Sequence, residues 1–186
     1  MLYSGMANDS ALYTFSVSLS DTTHNIFEDF TLRLAKNSGE DLEILTCRVM
    51  AFCLEYGEGL EFSKGLEDSN APAIWKHDLT GVVTDWIEVG TPTAARLHKA
   101  AKTGANVKIY AHQDPKIVLE IIKGEKVHKA KEITLVSFDD AFFESLAGGT
   151  EPKNTWELML SEGTVYLKAN NQDFQSALTS QKLSAF

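Results

Sequence analysis

The sequence predicts a mixed α/β fold of the α+β kind: a mixed β-sheet flanked by helices, with a β-hairpin near each end. Three observations predict it. Residues 11–19, ALYTFSVSL, alternate apolar and polar with the period of a strand. Strand-like runs such as GVVTDWIEV and EITLVSF then alternate with segments of helical spacing. A second alternating pair, WELMLSEGTVYLKA, turns at Glu162-Gly163 near the end.

In order along the chain, Tyr13, Phe15, Val17 and Leu19 oppose Leu12, Thr14 and Ser16. SDTTHN supplies a turn, and IFEDFTLRLA resumes a strand. SGED marks a helix start, with Ser38 as the cap and Asp41 reaching back as in a capping box. That helix runs to about Tyr56 with Leu42, Leu45, Val49 and Phe52 as a core stripe. LEFSKGLEDSNAPAIW reads as loop and short turns, and GVVTDWIEV as the central strand. Thr91 as a hydroxyl cap and Pro92 at the first helical position signal the start of a helix from Thr93 to near Gly104. ANVKIYAH is a strand, Asp114-Pro115 opens the helix KIVLEIIK, and Gly124 ends it. EITLVSF is a further strand and DDAFFESLA a short helix.

A chain of 186 residues suits one domain with a sizeable core. Residues 1–10 read as a loose leader, with Met6 an equal candidate for the start, and 11–186 as the domain. No apolar run approaches the roughly 20 residues that span a bilayer, and the N-terminus lacks a basic start followed by an apolar block. No membrane partner and a cytoplasmic location are therefore expected. Cys47 and Cys53 lie six apart in one helix, about 9 Å along its axis, beyond the ~7 Å reach of a disulfide. They are expected to be packing residues. The net charge of −9 disfavours nonspecific clamping of nucleic acid. The charge is unevenly spread: nine bases against three acids between Pro92 and Lys131, and eight acids against two bases between Glu40 and Asp68. Serine-hydrolase elbows and glycine-rich phosphate loops are absent from the sequence. LAGGTEPKN at 146–154 reads as a turn, and the five histidines show no ligand spacing, although His98 stands beside Lys99.

What remains is a set of carboxylates. Glu40 and Glu43 share one side of a first helical turn. Asp85 and Glu88 point to opposite faces of their strand. Glu88 stands at the strand's carboxyl end, where open α/β sheets place ligands. Converging carboxylates can hold Mg²⁺, with water completing its octahedron. Lys99 or Arg96 would add charge stabilisation. The same acids equally suit the helix N-terminal dipole.

The stretches FTLRLAKNSGEDLE, CRVMAFCLEY, LEFSKGL, PAIW, WIEVGTPTAARLHKA and VKIYAH, in this order from Phe30 to His112, resemble the YaeQ family. The resemblance implies a fold similar to the PD-(D/E)XK nuclease superfamily. It places Glu40, Glu43 and Arg48 at the family's helix positions, Glu88 at its strand acid, and Arg96 and Lys99 at its basic helix positions. A lysine that has moved from strand to helix would explain Gly90, two residues after Glu88. Ala73 stands where the family has aspartate, with Asp68 or Asp78 as replacements that nothing local supports.

Three readings follow. A Mg²⁺-dependent phosphodiesterase would hold the metal with Glu40, Glu43 and Glu88. Its catalytic groups would be Glu43, Glu88 and Lys99, with Arg96 on the phosphate. A noncatalytic nuclease-like protein would bind nucleic acid through Arg96, Lys102 and Lys108, or bind a protein partner. In the third reading Glu43, Arg48 and Lys99 form a structural polar cluster. The noncatalytic reading is the expectation; oligomeric state and substrate are left open.

Overall fold

A computed structural model of the chain describes residues 11–37, 39–63, 68 and 70–183. The leader at 1–10, the Ser38 cap and the KGL part of LEFSKGL lie outside the described residues. Strands β1 (Leu12–Asp21) and β2 (Ile26–Ala35) form the expected hairpin. Helix α1 (Leu42–Leu54) starts later than expected. Asp41 is itself the cap, its carboxylate accepting the Ile44 N–H at 2.8 Å. The segment expected to be loop holds two short strands, β3 (Leu60–Phe62) and β4 (Ile74–His77), which lead into β5 (Val83–Val89). Helix α2 (Ala94–Lys102) begins beyond the expected Thr91 cap: the Thr93 hydroxyl caps it and Pro92 stands outside it, whereas α3 (Pro115–Ile122) is capped by Asp114 before its proline. Between and after them run β6 (Asn106–Tyr110), β7 (Thr134–Ser137) and α4 (Phe142–Gly148).

The chain closes with four strands where two were expected: β8 (Lys153–Ser161), β9 (Thr164–Ala169), β10 (Gln172–Ala177) and β11 (Thr179–Lys182). The Glu162-Gly163 turn is as expected, with φ of 50° and 73°, the left-handed pair a two-residue hairpin requires. Asn170-Asn171 repeats the device at 49° and 66°. That pair is a legible signal for β10.

The architecture differs from the single sheet that was expected. The terminal hairpins leave it and build a five-stranded sheet of order β10-β9-β8-β1-β2, in which β1 and β8 run parallel. The rest forms a six-stranded sheet of order β11-β7-β6-β5-β4-β3, parallel at its β5-β6-β7 centre. Helices α1 and α4 share one core cluster with the inner faces of both sheets, whereas α2 packs in a second cluster on the far side of the six-stranded sheet. This layering explains α1. All residues from Leu45 to Cys53 are buried, so the helix has no solvent face and the anticipated stripe becomes burial on every side. Cys47 and Cys53 are free and buried there, and burial pushes both thiols up, leaving packing rather than nucleophilic chemistry.

Candidate functional site

Along β5, Trp86 and Glu88 project toward α2, while Ile87 and Val89 join the α1 side. Glu88 is buried, and its Oε1 accepts from Trp86 Nε1 at 2.8 Å and from Arg96 Nε at 2.8 Å. The Thr93 cap places Arg96 in the first turn of α2, facing the strand end. The rest of the guanidinium donates to the Ala71 carbonyl at 2.5 Å and the Asp68 carbonyl at 3.4 Å. One turn further on, Lys99 donates to the Asn70 side chain. Arg96 thus joins Glu88 to the segment before β4, and Lys99 reaches the same segment without bonding Glu88. Gly90, two residues after Glu88, has a left-handed backbone. Its φ of +93° is one that a lysine side chain would strain, and a Cβ there would stand 3.7 Å from His112 Nδ1, an ordinary contact.

The other acids lie elsewhere. Glu40 is sealed with Arg48: Nε–Oε1 is 2.7 Å and Nη2–Oε2 is 2.9 Å, and the Asn37 N–H adds a third bond at 3.1 Å. Arg48 also donates to the Ala35 carbonyl at 3.0 Å, so this pair pins α1 to the end of β2. The structural cluster expected of Glu43, Arg48 and Lys99 is therefore replaced by Glu40–Arg48. Glu43 is half-buried on α1, across the six-stranded sheet from the face Glu88 occupies. The carboxylates were expected to converge because α1 and β5 are neighbours. They are neighbours through the wrong face of the sheet.

Glu43 and Asp41 instead act on His112, just past β6. Burial pulls the His112 imidazole below its ordinary range, and the two carboxylates oppose that pull. Its Nδ1 is buried without a hydrogen-bond partner among the described residues. The unfolded chain therefore binds the proton more readily than the folded one. The His112 contribution is intact above the unfolded value of about 6.5 and is lost as pH falls below it. His112→Asn should flatten the fall in stability below that pH, measured by urea unfolding across an acid series. An unchanged slope would contradict this.

The proposed nucleic-acid residues also divide. Arg96 and exposed Lys102 belong to α2. Lys108 lies on the α1 side, where Nζ meets both Glu55 oxygens at 2.8 and 2.9 Å and Tyr110 donates to Glu55 at 2.6 Å. Burial, then the Glu55 charge, drives the Tyr110 phenol well up. His98 accepts the His128 N–H at 3.1 Å. The turn before β8 is organised by Asn154, whose amide donates to the Glu151 carbonyl at 2.5 Å and the Thr14 carbonyl at 3.3 Å. Ala73 is buried in the main core. Of its suggested replacements, Asp78 is consumed by Thr80 and Val82 in a turn that holds its carboxyl below the usual range, and Asp68 accepts the Asn70 N–H. Among the described residues no group of three or more His, Cys, Asp or Glu could hold a metal. The donors therefore do not fit Mg²⁺: Glu40 and Glu88 already hold arginines, and Glu43 is on another face. Among the described residues, no helix is long and apolar enough to cross a membrane.

Residues 6–178 match the family model described as YaeQ protein. The chain belongs to the YaeQ family. The match extends well beyond the Phe30–His112 stretch that carries the motif resemblance. Among curated relatives, the "Uncharacterized protein YaeQ" of Salmonella typhi is 25% identical over 178 residues, covering 94% of this chain and 97% of that one. That of Escherichia coli K12 is 24% identical over 176 residues, with the same coverage. The crystal structure of YaeQ from Pseudomonas syringae superposes with a TM-score of 0.80 at 28% identity, covering 95% of this chain and 98% of that one. YaeQ from Xanthomonas axonopodis pv. citri gives 0.81 at 20% identity over 93% and 98%, a likeness of fold. The two-sheet architecture is thus that of the family.

Proposed function

We propose that this YaeQ chain is a noncatalytic protein on a framework like that of the PD-(D/E)XK nucleases, and that it works by binding a protein partner. One observation carries the reading: both buried carboxylates expected to serve a metal, Glu40 and Glu88, are bonded to arginines. A metal would have to displace an arginine from a buried acid and leave that cation unpaired, at a cost of several kcal/mol. Nucleic acid is the weaker partner because the net charge is −9 and Lys108 sits across the sheet from Lys102.

The test incubates the intact protein with single- and double-stranded DNA and RNA in Mg²⁺ or Mn²⁺ at low salt. The expected result is no cleavage by wild type, and for Glu88→Gln a loss of about 1.5–3 kcal/mol of stability, the worth of hydrogen bonds to a charged group. Metal-dependent cleavage that Glu88→Gln removes would establish the Mg²⁺-dependent phosphodiesterase instead. Binding of nucleic acid that Lys102→Glu weakens would replace the protein partner.

A further inference from the structure

The outer face of the five-stranded sheet carries an ordered pattern that no side chain of the described residues covers. Alternation along the strands sends Phe15, Val17, Trp156, Leu158, Val165 and Leu167 into the core and their neighbours outward. The register aligns the outward residues into rows that cross every strand. One row runs Asp29, Ser18, Glu157, Lys168, Asp173. The adjacent row runs Phe27, Ser20, Met159, Tyr166, Gln175. Its apolar members are 60% (Phe27), 40% (Met159) and 39% (Tyr166) exposed, an apolar stripe beside a charged one. Hollows of ≈ 610, ≈ 360 and ≈ 410 Å³ lie over this face, and Glu157 lines all three. Among the described residues, Asp29, Glu157, Lys168 and Asp173 take part in none of the ion pairs within 4.0 Å.

We propose that this face docks a basic amphipathic helix of another protein, its cations over the Asp29–Glu157–Asp173 row and its apolar side over Phe27, Met159 and Tyr166. The proposal rests on the protein-binding reading and names its surface. Three carboxylates against one ammonium select a cationic partner. They repel phosphate, and they repel the same face of a second copy, which would oppose acid to acid. The face of a sheet offers no free ladder, so the visiting backbone must satisfy its own hydrogen bonds, as a helix does. Five strands at about 4.8 Å spacing make a row about 19 Å long, which a helix of about 13 residues spans. Anchors at helical spacing are the ordinary way such a segment engages an apolar stripe.

The test selects a displayed library of random peptides against the intact immobilised protein. Enrichment is expected for Lys or Arg on one helical face and aromatic or aliphatic residues beside it. The double variant Glu157→Lys/Asp173→Lys, checked for an unchanged melting temperature, should weaken the selected peptides on the order of tenfold or more. Lys102→Glu, across the molecule on α2, should leave them unaffected. Peptides without basic enrichment, or binding indifferent to the double variant, overturn the proposal. If those peptides respond instead to substitutions elsewhere, protein binding survives and only this surface is wrong. Concentration-dependent self-association in sedimentation, abolished by Tyr166→Lys, would assign the face to a second copy and also overturn it.

Discussion

Arg48→Met should destabilise the fold by about 3–5 kcal/mol, the range for breaking a buried ion pair from one side. Arg48 and Glu40 have side chains 4% and 1% exposed, so the stranded Glu40 carboxylate finds no water. The destabilisation comes from that uncompensated buried charge more than from the missing attraction. Glu40→Leu combined with Arg48→Met should therefore recover much of it. Recovery should stop short by about 1–3 kcal/mol, because the Asn37 N–H and the Ala35 carbonyl lose their partners. Urea unfolding of the two single variants and the double closes the cycle. A double variant no more stable than Arg48→Met would show that the pair acts through packing alone. The same experiment separates framework from function: a residue that pins α1 to β2 moves stability in the absence of any ligand.

Trp156→Ala should cost about 3–5 kcal/mol through the cavity it leaves. Trp156 is 1% exposed and meets the Phe15 ring edge-on with centroids 5.1 Å apart. It precedes Glu157 on β8, with one side chain facing the core and the other the open face. For a chain of this size the loss corresponds to a melting temperature lowered by about 6–20 °C. Differential scanning calorimetry checks it; a shift of a degree or less would mean that the site closes around the void. Because Phe15 and Trp156 brace the parallel β1–β8 pair from beneath, the variant should also blunt binding of the basic peptides.

Much of this protein is written locally. The Asp114 cap, the Glu162-Gly163 turn and the alternation of β1 and β8 depend on neighbours a few residues away, so they are legible in the sequence, whereas the cap of α2 falls at Thr93 and not at Thr91. The packing role of Cys47 and Cys53 is legible in the same way, and both are free and buried. The short strands β3, β4 and β11 are not, since three or four residues carry too little alternation to stand out from a loop. The candidate site divides along the same line. Arg96 follows Glu88 closely along a strand-turn-helix unit, and that proximity in the chain brings the two together, with Lys99 one turn on against Asn70. Glu43 has no such local tie to them; its helix adjoins the strand, and adjacency leaves the choice of face open.

Sequence periodicity determined that Asp85 and Glu88 face opposite ways and that α1 turns a stripe of Leu42, Leu45, Val49 and Phe52 to the core. Only the tertiary structure decided which layer covers each face. Helix α1 lies between two sheets, and the β1–β8 pair of one of them brings Thr22 to Leu160 across 138 residues of chain. A side chain's alternation records which way it points relative to its neighbours. The element waiting there is set by contacts between segments far apart in the chain, and those contacts put Glu43 on the face of the six-stranded sheet opposite Glu88.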